Sequence, residues 1–261
     1  MEEKKIIREL GIQLYTIREF MQNEKDIRES FRKLREYGYT QAQTGGCEIP
    51  YRDFGRIVWE EGIEIVGTHD DFDMMVNDFE QALENHRLLN TDNMGIGGMH
   101  FGSVDEIKAF IEKANLVGEK AAKEGMKFTY HHHSHEFYCW ANGKRTIDML
   151  VEGLDPANTS FVLDTYWIQH AGGSITSWIE KLAGRIDILH LKDMKRVLTK
   201  NPGEAQQQYA EIGGGNMDWD QILTAAKKNG VKYYIVEQDS CFEENCFASA
   251  RSSIEFLKKY M

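Results

Sequence analysis

The sequence predicts an α/β fold, a single closed (β/α)8 TIM barrel, and three observations support this prediction. Eight short apolar runs alternate along the chain with longer amphipathic segments. The chain has 261 residues, close to the roughly 250 residues of a typical barrel of this kind. Several amphipathic segments end in a glycine that stands directly before the next apolar run. Strands separated by helices pair in parallel through right-handed crossovers, so eight units fit a closed barrel.

The eight predicted strands are runs of strand length, several of them rich in Val, Ile, Tyr and Phe. They are Leu10–Tyr15, Tyr39–Thr44, Ile63–His69, Asn93–Gly97, Met126–His133, Ser160–Thr165, Ile186–Lys192 and Lys232–Gln238. The chain has 3 prolines and no Pro- or Ser-rich linker divides it. We therefore expect one domain over residues 1–261.

The segments between these runs have helical periodicity. Ile27, Phe31 and Leu34 recur at the spacing of one helix face. The stop glycines, which can adopt the positive φ of a helix end, are Gly38, Gly62, Gly125 and Gly230. An open doubly wound sheet is the alternative fold. The first strand–helix junction has no GxGxxG motif, and the Gly213–Gly215 cluster does not follow an apolar strand, so neither resembles a dinucleotide site.

Composition narrows the classes of function. The chain carries 31 Lys and Arg against 42 Asp and Glu, a formal net charge of −11, which disfavours nucleic acid as a partner. No run approaches the ~20 apolar residues of a membrane span, and the charged start does not resemble a secretory signal. The four cysteines, Cys47, Cys139, Cys241 and Cys246, show no CxxC spacing. We expect reduced thiols in a cytoplasmic protein.

Ionisable residues lie at the carboxyl ends of five of the eight predicted strands. These strand ends are residues 68–71, 131–136, 163–167, 189–193 and 236–239. In a (β/α)8 barrel the carboxyl ends of the strands form the active-site face. The concentration of ionisable residues at these ends therefore predicts a functional site at the barrel mouth.

The residue types suit a divalent metal ion bound by oxygen and nitrogen, such as Mn²⁺, Zn²⁺, Mg²⁺ or Co²⁺. Asp164, His190 and Glu237 end three successive strands and are the first three predicted ligands. The fourth comes from the end of the fifth strand and is Glu136, His131 or His133. Period-two alternation places His131 and His133 on the same face of that strand.

Each of these residues also has a structural interpretation. Asp164 is placed to cap the next helix, and His190 has the sequence context of a hydrogen-bonded core histidine. Glu237 is placed to form a buried ion pair with Lys192. Asp193 is more typical of a capping or pairing residue than of a reacting one.

The sequence then resembles a known superfamily, in the same order along essentially the whole chain. The segments that carry the resemblance are residues 11–18, Tyr130–Phe137, Leu163–Trp167, His190–Asp193, Gly213–Trp219 and Val236–Asp239. They are similar to those of the xylose isomerase-like TIM barrels. This sugar phosphate isomerase/epimerase group includes ketose 3-epimerases and inosose dehydratase.

The resemblance implies a divalent metal held by a Glu or His of the fifth strand together with Asp164, His190 and Glu237. The chain departs from the epimerases at His131, Trp167 and Gln43, where they have a Glu, a His and a Glu. Glu136 is therefore the preferred carboxylate ligand from the fifth strand. These departures make the sequence more similar to the inosose dehydratase-like branch.

The expected activity is isomerisation or epimerisation of a sugar or a sugar-like polyol ketone by removal of the proton next to a metal-bound carbonyl. Loss of a β-hydroxyl from a keto-sugar or keto-inositol, a dehydration, uses the same site and is the alternative. The predicted catalytic residues are Glu237, Glu136, His133 and Lys192. The predicted substrate-binding residues are His69, His131, Trp167 and Arg196. Arg196 is a candidate for binding a substrate phosphate, although its sequence context is more typical of a solvated surface residue.

Two further functions stay open from the sequence. A phosphodiesterase of the endonuclease IV type uses a related barrel with several metal ions, but the chain lacks the basic stripes of a DNA-binding protein. A sugar-binding barrel without catalysis is compatible with the changes at Gln43, His131 and Trp167. In each case except the nuclease the expected partner is a small sugar, without membrane or nucleic acid. A homo-oligomer is compatible with the family, and no stripe in the sequence identifies an interface.

Overall fold

The computed structural model describes residues 5–45 and 49–261 and contains a barrel of parallel strands. The barrel strands are β1 (Leu10–Gln13), β2 (Gln41–Gln43), β3 (Glu64–Gly67), β4 (Asn93–Ile96), β5 (Lys127–His131), β6 (Thr159–Asp164), β7 (Ile186–Leu191) and β10 (Tyr233–Val236). Within the described part of the chain their order in the sheet is β3-β2-β1-β10-β7-β6-β5-β4. Seven lie inside the predicted runs, and β6 begins one residue earlier.

The two end strands of this sheet, β3 and β4, approach each other and close the barrel. The Thr68 amide donates to the Asn93 carbonyl oxygen (3.2 Å), and the Asp70 amide donates to the Gly95 carbonyl oxygen (2.8 Å). Gly95 permits this approach, because a Cβ at this position would lie 2.3 Å from the Thr68 carbonyl oxygen. The predicted (β/α)8 fold is confirmed.

Helices separate the strands and cover the outside of the barrel. They are α1 (Glu24–Tyr37), α2 (Tyr51–Glu61), α3 (Phe72–Asn77), α4 (Phe79–Leu89), α5 (Val104–Lys123), α6 (Thr146–Gly153), α7 (Thr165–His170), α8 (Ile175–Lys181), α9 (Trp219–Lys228) and α10 (Cys246–Leu257). Short 3-10 helices lie at Leu14–Phe20, His135–Phe137 and Lys258–Tyr260. Gly38 and Gly62 end α1 and α2 with φ of +111° and +66°, as the sequence predicts.

The inside of the barrel has an apolar layer beneath the mouth. Val66, Val162, Ile188 and Ile235 form a buried cluster of their own. Since side chains alternate along a strand, the residue two positions after each of the last three, toward the carboxyl end, also points inward. Those residues are Asp164, His190 and Glu237. The apolar layer therefore forms the floor of the predicted site.

A hairpin that the sequence did not predict follows β7 directly. Strands β8 (Asp193–Leu198) and β9 (Ala205–Ala210) pair antiparallel. Asp193 anchors this region, because its Oδ2 accepts hydrogen bonds from the amides of Gly213 and Gly215 and from Trp219 Nε1. A Cβ on Gly215 would lie 2.2 Å from Asp193 Oδ1. The glycine cluster therefore has a structural role, as does Asp193.

The prediction of four reduced cysteines is wrong for one pair. Cys241 and Cys246 form a disulfide, because the loop after β10 turns back to the start of α10 and brings their Cα atoms to 5.2 Å. Cys139 is a free, exposed thiol, and Cys47 lies outside the described residues. The cytoplasmic location stays a prediction. The disulfide does not support it, because disulfides persist mainly in oxidising compartments.

In the described part of the chain, every helix is too short or too polar to span a bilayer.

Candidate metal centre at the barrel mouth

Four buried side chains converge where the barrel strands end. His131 ends β5, Asp164 ends β6, His190 lies near the end of β7, and Glu237 directly follows β10. Each offers one ligand atom, and these four atoms all lie within 4.8 Å of one another. His131 Nε2 is 3.4 Å from Asp164 Oδ2, and His190 Nδ1 is 2.9 Å from Glu237 Oε2. Two imidazoles and two carboxylates at this spacing can share one divalent ion.

In both histidines of this group, the ring nitrogen that faces away from the carboxylates is hydrogen-bonded to another residue. His131 Nδ1 donates to the Gly97 carbonyl oxygen at 3.2 Å, and His190 Nε2 donates to Gln43 Oε1. These hydrogen bonds hold each ring so that His131 Nε2 and His190 Nδ1 face the carboxylates, where either nitrogen can bind a metal ion in place of a proton. Metal-binding histidines are held in this way in proteins. The donor set therefore fits a divalent ion.

The electrostatics of the site also favour a cation. Burial opposes protonation of His190, but Glu237 and Asp164 outweigh it and raise its pKa to about 9. Burial would raise the pKa of Asp164, yet Lys192, His131 and His190 hold that pKa well below its usual value. The carboxylates therefore stay ionised and attract positive charge, which a metal ion can supply in place of a proton.

Gln43 contacts the candidate metal centre through His190, and its replacement should weaken metal binding. In Gln43→Met the His190 Nε2 loses its acceptor, so the ring is free to turn or change tautomer. We expect the affinity for Zn²⁺ or Mn²⁺ to fall roughly 10–100-fold in a competition titration with a chelating dye. Gln43→Glu keeps an acceptor and should retain tight binding.

The matched control is Gln41→Met on the same strand. Gln41 bonds Glu9 and Glu64 at the other end of the barrel. An equal loss of metal affinity in Gln41→Met would mean that the effect is not transmitted through His190.

Asp164 both caps a helix and faces the site. Its Oδ1 accepts from the Trp167 amide at 3.0 Å and caps α7, while Oδ2 lies near His131, His190 and Lys192. The two interpretations left open by the sequence are therefore compatible.

Glu136, the preferred fourth ligand from the sequence, is not in this group. The 3-10 helix after β5 turns Glu136 back, so that Oε1 accepts from the Tyr130 hydroxyl (2.8 Å) and Oε2 from the His133 amide (2.9 Å). His131, the alternative from the same strand, holds the fourth position. Glu136 belongs instead to a second group with His133 and His135.

Lys192 lies buried beside the four-residue group. Its Nζ is 2.7 Å from Asp239 Oδ1, 3.1 Å from Glu237 Oε2 and 3.6 Å from Asp164 Oδ2. Although burial opposes its charge, Glu237, Asp164 and Asp239 raise the pKa of Lys192 above its usual value. The predicted ion pair with Glu237 is therefore present, and the three carboxylates favour the charged ammonium.

Two residues around Lys192 were missed by the sequence analysis. Asp239 contacts its Nζ and lines the mouth. Tyr209, on the unpredicted hairpin, is hydrogen-bonded to Asp239 and has its ring 5.5 Å from Nζ. Asp239 lies in a strand end that the sequence did single out. Nothing in the local sequence indicates that Tyr209 returns to the mouth.

Two neutral imidazoles complete the walls. The Tyr15 amide donates to Gln13 Oε1, so Gln13 Nε2 donates to His69 Nδ1 and the proton of His69 is on Nε2. Burial and the neighbouring His131 lower the pKa of His69 well below its usual value. The same two causes lower the pKa of His133 to about 2. Within the described residues, His69 Nε2 and His133 Nδ1 are buried without a hydrogen-bond partner.

The mouth is a cavity of about 380 Å³. It is lined by Tyr15, Gly45, His69, Gly97, His131, His133, Lys192, Glu237 and Asp239. Trp167 stands behind this wall, with its ring 5.1 Å from that of His133. Arg196 is not brought to the mouth, because its guanidinium bonds Gln207 and the Ala205 carbonyl oxygen on the exposed hairpin.

The chain matches a known protein family and curated relatives in sequence. The family model of the xylose isomerase-like TIM barrel matches residues 6–260. An inosose dehydratase of Bacillus licheniformis is 29% identical over 147 residues, covering 52% of this chain and 48% of the relative. The match thus spans about half the length of that relative.

Solved structures share the fold. A sugar phosphate isomerase/epimerase from Parabacteroides distasonis aligns with a TM-score of 0.80 and 21% identity, over 97% of this chain and 93% of that one. The IolI protein, solved with a zinc atom, aligns with a TM-score of 0.69 and 14% identity, over 97% and 98%.

Proposed function

The chain belongs to the xylose isomerase-like TIM barrel family, and on that premise we propose that it is a divalent-metal-dependent enzyme acting on a polyhydroxylated ketone. The reaction we propose begins with removal of the proton next to the carbonyl and ends with loss of the β-hydroxyl as water. The observation that carries the proposal is the convergence of four ligand atoms, all within 4.8 Å of one another, from His131, Asp164, His190 and Glu237. The other ring nitrogens of the two histidines, His131 Nδ1 and His190 Nε2, are already hydrogen-bonded.

The four residues would hold the ion. A bound divalent metal supplies Lewis acidity, which polarises a carbonyl and makes the adjacent C–H more acidic. The Lys192 ammonium stabilises negative charge that develops on the substrate oxygen, and Asp239 orients that ammonium through the 2.7 Å contact. His69 Nε2–H is free to donate to a substrate hydroxyl.

His133 is the group we assign to the proton transfer. Its imidazole is neutral and its buried Nδ1 has no partner among the described residues. Negative charge developing on the substrate raises the proton affinity of the ring, so it can take the proton from carbon. The protonated ring then returns this proton to the departing hydroxyl, which leaves as water.

Dehydration is favoured over epimerisation by two features. The similarity is to inosose dehydratases, and the residues that resemble the epimerase carboxylate pair are Gln43 and His131, neither of which is a carboxylate. Isomerisation or epimerisation of the same substrate class is the second candidate, because it shares the first proton transfer.

The test incubates the metal-loaded protein with inosose and with open-chain ketoses in D₂O. A dehydratase produces a conjugated product, visible by ultraviolet absorbance, and loss of one water by mass spectrometry. An isomerase or epimerase instead incorporates deuterium without loss of water. Absence of both reactions with either class of ketone would refute the enzyme proposal. Abasic DNA serves as the control substrate, which we expect to stay intact.

A further inference from the structure

A second cavity is lined by two chain segments that continue from the wall of the mouth. It has a volume of about 670 Å³ and is lined by His100, Phe101, Ser134, His135, Phe137, Tyr138, Trp140, Thr146 and Ala171. We refer to it as the aromatic cleft. Gly97 lines the mouth, and His100 and Phe101, which follow it closely in the sequence, line the cleft. The segment of His133 in the mouth continues to Ser134 and His135.

The two cavities meet at a pair of parallel rings. His133, in the wall of the mouth, stacks on His135, in the wall of the cleft, with ring centres 5.4 Å apart and planes inclined by 13°. His135 in turn stacks on His100 at 4.5 Å. One pair of stacked rings therefore separates the mouth from the cleft.

The chemistry of the cleft differs from that of the mouth. The mouth is lined by Lys192, Glu237 and Asp239, whereas no Asp, Glu, Lys or Arg among the described residues lines the cleft. Its far wall is aromatic, with Tyr138 and Trp140 packed edge to face at 5.0 Å. Tyr138 is 61% exposed and presents its ring to solvent. The indole N–H of Trp140 is satisfied by the Thr146 hydroxyl, so that ring is held in place.

These features select against a phosphate and in favour of an uncharged ring. A phosphate group is bound by Arg, Lys or a helix amino end, and the described lining of the cleft offers no basic residue other than histidine. Arg196, the residue the sequence indicated for a phosphate, is bonded on the hairpin. Flat aromatic walls stack on other ring faces.

We propose that the aromatic cleft is a subsite for an uncharged, ring-containing substituent, so that the protein prefers a glycoside to a free or phosphorylated sugar. The inference rests on the proposed function, since it takes the mouth as the site of the keto-sugar unit. The shared chemistry of the substituent is a ring face joined through a glycosidic oxygen. A second sugar and an aromatic aglycone are its two sources.

The experiment measures binding of unreactive glycosides to the purified full chain by isothermal titration calorimetry. The probes are phenyl glucosides of both anomers, cellobiose, methyl glucosides and glucose 6-phosphate. We expect the better phenyl glucoside or cellobiose to bind about tenfold more tightly than the methyl glucosides, and glucose 6-phosphate to bind no better than the methyl glucosides. Preference for the phenyl glucoside identifies an aromatic aglycone, and preference for cellobiose identifies a sugar.

The variants test whether Tyr138 is responsible. Tyr138→Ala should reduce the preference to within about twofold, whereas Tyr138→Phe keeps the ring and should retain it. Tyr138 is exposed, so neither change threatens the core. Trp59→Ala is the control, since Trp59 is 85% exposed and lies beside Glu64 at the opposite end of β3.

Equal affinity for methyl and ring-bearing glucosides, no binding of any ring-bearing probe, or an unchanged preference in Tyr138→Ala would overturn the proposal. The result is independent of turnover. An active dehydratase without the preference refutes only the subsite, and the preference without reaction refutes only the proposed function.

Discussion

Asp164→Asn should abolish metal binding and activity while leaving the fold intact. The amide keeps an oxygen that can accept from the Trp167 amide, so the cap of α7 survives. The charge of Oδ2, which faces both histidines and Lys192, is lost. We expect the bound metal measured by atomic emission to fall below one tenth of the wild-type content. We expect kcat/KM to fall at least 100-fold. Loss of a hydrogen-bond partner of a metal ligand typically lowers activity by roughly 10–100-fold, and loss of a ligand itself should cost more.

The matched control is Asp71→Asn. Asp71 caps α3 through its side chain, in the way Asp164 caps α7, but it is not in the four-residue group. Its metal content and kcat/KM should equal those of the wild type. Full metal content in Asp164→Asn would be incompatible with the proposed centre.

Lys192→Met should lower both stability and activity. The substitution leaves Asp164, Glu237 and Asp239 buried without the ammonium that contacts all three. Removing one partner of a buried charge network costs about 3–5 kcal/mol, so urea unfolding of the metal-free protein should shift by that amount. The loss of the cation beside the reacting oxygen should lower kcat by about 10²–10³-fold.

Two comparisons make the Lys192 result interpretable. Lys192→Arg keeps the positive charge and should recover much of the stability. Its planar guanidinium cannot take the position of the compact ammonium between the three carboxylates, so kcat should stay low. Lys232→Met removes a half-exposed lysine whose partner Asp187 is also contacted by Lys127. It should cost less than about 1 kcal/mol. A Lys192→Met protein as stable as Lys232→Met would contradict the buried-network account.

The barrel strands could be predicted because each is a short apolar run with clear boundaries. Gly38 and Gly62 end helices with positive φ, a conformation that favours glycine for a local steric reason. The β8–β9 hairpin could not be found in this way. Its second strand, Ala205–Ala210, is mostly polar and partly exposed, so it lacks the apolar run by which the other strands were recognised.

The convergence of Asp164, His190 and Glu237 could be anticipated because the carboxyl ends of parallel strands meet at one rim. The choice between His131 and Glu136 could not be made from spacing. His131 is the last residue of β5, so its direction follows from strand alternation, whereas Glu136 lies beyond the strand in a turn. The disulfide between Cys241 and Cys246 likewise depends on how a loop folds back.

The account depends most directly on one shared ion. Crystals of the protein loaded with Zn²⁺ or Mn²⁺ should be measured at the absorption edge of the metal. We predict one strong anomalous peak at about 2.0–2.2 Å from His131 Nε2, Asp164 Oδ2, His190 Nδ1 and a Glu237 carboxylate oxygen. A peak at His133, His135 and Glu136 instead, or no peak within reach of Asp164, would contradict it.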